Sequence, residues 1–228
     1  MSKNTWIILS VILLLFGGLV WYLTRNNTEV DLSDIDHYNF ISGIEQNGEI
    51  ADHIRGNPNA PVVIIEYSDF QCPACASAAP RIRAILEHYD YDQVAFIVRN
   101  FPLANMFPNS RAAAASAEAA GLQGHFWEMR ELLFRNQRIW SGASAQDRDA
   151  IFAGYAAELG LDTERFSADV RLSTINTKIN FDQSLGREKG VSGTPTFFIN
   201  GTRVEPAVAG SDERFRDLID SLLRSASE

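Results

Sequence analysis

The sequence predicts an α/β domain whose one sheet is interrupted by a block of helices. Three observations predict it. An apolar run (Val62, Val63, Ile64, Ile65) reads as a buried strand and leads to Cys72-Pro73-Ala74-Cys75, which opens a segment carrying Ile82, Ile85, Leu86 and Tyr89 at helical spacing. From 109 to 190 the periodicity is helical almost throughout. Strand character then returns at Thr196-Phe197-Phe198-Ile199, just before Asn200-Gly201, the strongest short hairpin signal. Strands on both sides of a helical block imply one sheet completed after an insertion.

Taken in order, the chain begins with an uncharged apolar run over 6–23, flanked by Trp6, Trp21 and Tyr22. Eighteen residues is about the threshold for a spanning helix, and aromatics at both ends suit the two interfaces of a bilayer. A cleaved signal peptide is the alternative, but the run is longer than such a core and ends in bulky residues where a small-residue cleavage site belongs. Residues 1–25 are therefore expected to be a signal anchor and 26–55 a polar tether, with a short helix around 36–44. Residues 56–228 form the folded domain, with its insertion at about 109–190. The net charge of −9 argues against nucleic acid as the main partner.

Gly56-Asn57-Pro58 is turn chemistry ahead of the first strong strand, and Val94 to Val98 marks a second one after the Cys-containing helix. Within the helical block, Asn109 or Ser110 can cap an alanine-rich helix that ends at Gly121. Phe126, Met129 and Leu133 share one helix face, and Ile151, Tyr155 and Leu159 another, stopped by Gly160. Thr163 can cap a short helix with Phe166 and Val170, and Ile175, Ile179 and Leu185 mark a last one before Gly186. Ser211 caps a final helix with Phe215, Leu218, Ile219 and Leu222 on one face.

Cys72 and Cys75 are the only cysteines in 228 residues. A strand, a turn, Cys-x-x-Cys and a helix together point to redox chemistry. Cys72 falls at the helix N-terminus, where unpaired N–H groups and the helix dipole favour the reactive thiolate. Pro73 suits the first helical position because the N–H it lacks has no partner there. Cys75, one turn on, can release a partner from a mixed disulfide with Cys72. Three other readings stand beside this one: a structural disulfide, half of a zinc site, and a chance spacing. A structural disulfide closes a loop too small to stabilise much, and half of a zinc site lacks a third cysteine or a suitably spaced histidine.

Four motifs resemble the DsbA-like thiol–disulfide oxidoreductases of the thioredoxin fold, over about residues 57–222. They are Glu66-Tyr67-Ser68-Asp69-Phe70-Gln71-Cys72-Pro73-Ala74-Cys75, Pro80, Gly124-His125-Phe126-Trp127, and Gly190 to Gly201 around Gly193-Thr194-Pro195-Thr196. The resemblance implies a thioredoxin-like fold with an inserted helical domain. It implies Cys72 as the exchanging thiol, Cys75 as its partner, and a cis Thr194-Pro195 bond that leaves Thr194 backbone groups to pair with an extended substrate. It also assigns Glu66, an acid interrupting an apolar strand, to shuttling the proton of Cys75; Asp69 is expected to be exposed on the turn.

Ala74 departs from the family's strongest oxidants, which carry histidine there; a less acidic Cys72 and a less oxidising disulfide follow. The expected activity is oxidation of cysteine pairs in exported proteins, outside the cytoplasm, with no metal or organic cofactor. A membrane redox partner restores the disulfide. A reductase or isomerase using the dithiol, or a peptide-binding chaperone, are the alternatives.

Overall fold

The structure, a computed structural model, describes residues 10, 12–18 and 32–227. Five strands form one sheet: β1 (His53–Arg55), β2 (Val62–Ser68), β3 (Val94–Asn100), β4 (Thr196–Ile199) and β5 (Thr202–Arg203), in the order β1-β3-β2-β4-β5. β2 and β3 are parallel, with Val62 opposite Val94 and Ser68 opposite Asn100, and are joined through α1 (Pro73–Leu86). β4 adds antiparallel to β2, with Glu66 opposite Phe197 and Tyr67 opposite Thr196. The sheet is thus completed after the insertion, as the pattern predicts. Asn200 and Gly201 both adopt positive φ (45° and 79°), which the tight β4–β5 turn requires.

The insertion holds α2 (Ser110–Gly121), α3 (Phe126–Arg135), α4 (Gln137–Trp140), α5 (Ala145–Glu158), α6 (Thr163–Asp169) and α7 (Ser173–Glu188). α8 (Pro206–Ala209) and α9 (Asp212–Ala226) follow the hairpin. Side chains alternate across a strand. Val62 and Ile64 join Ile82, Ile85, Phe96, Phe215 and Ile219 in the main core, whereas Tyr67 turns to the opposite face, edge-on to Phe101 and Phe198. By the same alternation Glu66 points into the core under α1.

Several expectations need correction. The final helix is capped by Ser211 as expected, but α6 is capped by Asp162, whose carboxylate accepts from Arg165 N at 2.9 Å, rather than by Thr163. Gly186 does not end a helix. α7 runs through it because the absent side chain makes room: a Cβ there would sit 2.8 Å from the Phe101 ring. Residues 36–44 are not helical; a single 3-10 turn forms at Glu45–Asn47.

The tether expected over 26–55 is, from residue 32 on, part of the packed unit. β1 pairs with β3, with Ile54 opposite Ile97. Arg99, fully buried on β3, draws this segment in, because its five donors need acceptors. It donates to His37 O, Asn39 O (2.8 Å) and Asp52 Oδ2 (2.8 Å). Lys178 Nζ bridges Asp52 (2.7 Å) and Asp182 (2.8 Å), and Asn100 Nδ2 donates to Asp182 and Glu118. A buried charge is tolerable only when paired, so these groups hold one another in place.

The expected membrane segment lies largely outside the described residues. Within it, residues 12–18 are helical, and the side chains of Ile12 to Phe16 are all more than half exposed. Among the described residues no helix is long and apolar enough to cross a membrane.

Candidate active site

Cys72 is the N-cap of α1, in an extended conformation (φ −72°, ψ 122°), and Pro73 is the first helical residue. Both cysteines are free thiols and both are buried. The loop after the insertion brings the cis Thr194-Pro195 bond against them, and Cys72 Sγ donates to Thr194 O at 3.3 Å. Thr194 Oγ1 is buried and has no hydrogen-bond partner among the described residues, so it is available to a thiolate.

The two thiols are driven apart. The hydrogen bond from Cys75 lowers the Cys72 pKa most. Burial opposes it, Thr194 and the N–H groups of Cys75 and Ala74 assist it, and the balance is about 5 instead of 9.0. Burial pushes Cys75 well above the ordinary thiol range, aided by the hydrogen bond with Cys72 and by the negative charge of Glu66. Cys72 is the nucleophile and leaving group of such a pair, and Cys75 stays protonated. Ala74 supplies no imidazole, but its backbone N–H is part of what lowers Cys72.

Glu66 is fully buried. It is not a lone acid: Arg130 Nη2 donates to Oε2 at 2.9 Å and Ser68 Oγ to Oε1 at 2.7 Å. Asp69 is corrected from exposed to buried. Its carboxylate accepts from Gln71 N (2.8 Å) and Leu103 N (2.7 Å), which turns the chain into the Cys72 loop. Burial raises its pKa from 3.8 to about 6 against those two hydrogen bonds, and the charge of Cys72 adds to the rise.

The insertion clamps the loop from the other side. Gln137 Nε2 donates to Phe70 O (2.8 Å) and Cys72 O (3.1 Å), while Gln71 spans to Ser141 O and Asn109 N. Asn109 spends its side chain on Trp140, Ser141 and Ala143 carbonyls rather than on capping α2.

Cys72, Cys75, Glu66, Thr194 and Pro195 are therefore brought together. Sequence reasoning missed Arg130, Gln137 and the burial of Asp69. Arg130 had a signal: it lies four residues after Phe126 and three before Leu133, on the apolar stripe of α3, where a buried cation needs a buried acid.

A thiolate-poised cysteine at a helix N-terminus, a buried protonated partner one turn on and a cis-proline loop across them define a thiol–disulfide exchange site on a thioredoxin-type sheet. The family model described as "Thioredoxin" (Thioredoxin_4) matches residues 49–221, and the chain belongs to that family. A thioredoxin-like oxidoreductase from Silicibacter pomeroyi is 25% identical, with a TM-score of 0.62 over 78% of this chain and 93% of that one. The alpha-DsbA1 protein of Wolbachia pipientis is also 25% identical (TM-score 0.65, 77% and 92% covered). BdbD of Bacillus subtilis, at 19% identity and TM-score 0.67 over 82% and 99%, shares the fold.

Among curated proteins, the Na(+)/H(+) antiporter NhaA 1 of Salinispora arenicola is 41% identical over 152 residues, 67% of this chain but 22% of that protein. NhaA 1 of a Mycobacterium species is 38% identical over 156 residues, and the chain spans 24% of its length. The chain has a thioredoxin-like α/β fold with a helical insertion and is similar to DsbA-like thiol–disulfide oxidoreductases.

Proposed function

We propose that this enzyme oxidises cysteine pairs in exported proteins, through a Cys72–Cys75 disulfide and without a metal or organic cofactor. The observation that carries the direction is the Cys72 pKa of about 5. A stabilised thiolate stabilises the reduced enzyme, which makes its disulfide a stronger oxidant.

In the reaction a substrate thiolate attacks Cys72 Sγ. The Cys72–Cys75 bond breaks, and Cys75 leaves and takes up a proton, as its raised pKa demands. Glu66, paired with Arg130 beneath it, shuttles that proton. The mixed disulfide lies against Thr194 and Pro195, where free backbone groups pair with the extended substrate. The substrate's second thiolate then attacks its first sulfur, and Cys72 departs as the thiolate. The substrate dithiol loses two electrons to become a disulfide, the enzyme disulfide gains them, and the second proton goes to solvent. A membrane redox partner takes the two electrons back from the dithiol.

The apolar run over 6–23 anchors the enzyme to the membrane as an uncleaved signal anchor over 1–25, with the catalytic domain on the extracytoplasmic side. Support comes from its length, its flanking aromatics and the exposed apolar side chains of Ile12 to Phe16.

The test is the equilibrium of the cysteine pair with glutathione buffers, read by alkylation and mass spectrometry. A potential at or above about −180 mV is expected. A value near about −270 mV, that of thioredoxin, would make the enzyme a reductase instead.

A further inference from the structure

A groove of about 230 Å³ lies between α1 and α3. Its floor is apolar and aromatic: Ile82 and Leu86 from α1, Phe96 from β3, Trp127 and Phe134 from α3. Its polar lining is lopsided for a chain of net charge −9, with four arginines against one glutamate. Two of the arginines are satisfied: Arg83 pairs with Glu131 at 2.8 Å and Arg135 with Glu158 at 3.6 Å.

The other two have donors to spare. Arg130 is only 8% exposed, and its Nε is buried without a hydrogen-bond partner among the described residues, although its Nη2 reaches Glu66. An unmet buried guanidinium N–H costs on the order of 1–3 kcal/mol, so a group that accepts from it is favoured. Arg55 makes no ion pair among the described residues. Both guanidinium groups gather at one ring, Arg55 4.5 Å and Arg130 5.9 Å from the Trp127 centroid. Burial lowers the Arg55 pKa, and the like charge of Arg130 lowers it further, whereas Glu128 and Glu131 partly offset this. Two guanidinium groups close to one ring, one unpaired and the other with a buried N–H left over beyond its pair with Glu66, are matched by an anion.

We propose that the groove between α1 and α3 binds a small aromatic carboxylate, its charge held by Arg55 and Arg130 and its ring laid on Phe96, Trp127 and Phe134. A carboxylate is planar and accepts from guanidinium forks, which suits these donors. An aromatic body suits the floor, since rings pack on rings with extra stabilisation beyond area alone. The volume exceeds the ~150 Å³ apolar cavity that admits benzene, so a one- or two-ring body fits. The exchange chemistry does not require such a ligand, so the inference is independent of the proposed direction of electron flow.

The probe is 2-naphthoate, titrated calorimetrically into the full-length reduced protein. Its controls are 2-naphthalenemethanol, which keeps the rings without the charge, and acetate, which keeps the charge without the rings. Saturable one-to-one binding of naphthoate is expected, with each control weaker by about tenfold or more, the loss of one charged hydrogen bond or of ring burial. Arg55→Gln should weaken naphthoate by about tenfold or more, while Arg55→Lys, which keeps the charge but loses the fork and its stacking on Trp127, falls between the two. Arg55 is exposed, and unchanged melting of Arg55→Gln confirms that its fold is kept. The inference is overturned if naphthoate does not saturate, if either control binds as tightly, or if Arg55→Gln binds like the parent protein.

Discussion

Alkylation of Cys72 should titrate near about pH 5, well below an ordinary thiol, and Cys75 should resist alkylation across the whole neutral range. Because the folded value of Cys72 lies below 9.0, its ionisation stabilises the reduced fold. That stabilisation is complete above about pH 9 and is lost as pH falls through about 5. The melting temperature of the reduced enzyme relative to Cys72→Ser should therefore climb between pH 5 and 9. Asp69 works in the opposite sense. Its folded pKa of about 6 lies above 3.8, so its contribution is full below 3.8 and disappears as pH rises through about 6. The Cys72 thiolate, formed first, opposes ionisation of Asp69. Cys72→Ser should therefore move the Asp69 titration to lower pH, and an unchanged midpoint would show that the two groups do not interact. Glu66→Gln tests the proton route: single-turnover exchange at neutral pH should slow by about a hundredfold, the lower range for a general acid–base group. A stopped-flow rate equal to the parent's would leave Glu66 a purely structural partner of Arg130.

At the scale of elements, α4 decides the shape of the active-site loop, although it has only four residues. Gln137 holds two carbonyls of that loop, those of Phe70 and Cys72, and removing it strands both. Gln137→Ala should cost about 1–3 kcal/mol in denaturant unfolding, the usual penalty for buried groups left unpaired. It should also slow disulfide exchange more than the stability loss explains, because the cap position of Cys72 relaxes. Element positions were mostly legible in the sequence, since strand and helix periods differ and the turn residues mark their ends. Cys72, Cys75, Pro73 and Asn200-Gly201 carry local signals of that kind. Asn109 and Gly186 misled for one reason: the spacing near a helix end shows that a small or polar residue is present, not whether it caps or packs.

Over the whole molecule, the buried charges of Arg99, Asp52, Lys178 and Asp182 tie residues 32–55 to the sheet and to α7. Breaking a buried pair leaves an uncompensated charge and costs about 3–5 kcal/mol. Arg99→Met should lower the melting temperature accordingly, and hydrogen exchange should rise first over 36–52, where its acceptors lie. Exchange confined elsewhere would mean that the segment holds by its apolar contacts alone.

The sequence by itself determined the interrupted sheet, the redox helix, the hairpin and the cysteine pair, because each is written in neighbouring residues. Only the tertiary structure decided that Glu66 is paired with Arg130, 64 positions away, that Asp69 is buried, and that the supposed tether belongs to the fold. Burial and ion pairing depend on which distant elements come to lie against a residue, and no local pattern encodes that distance.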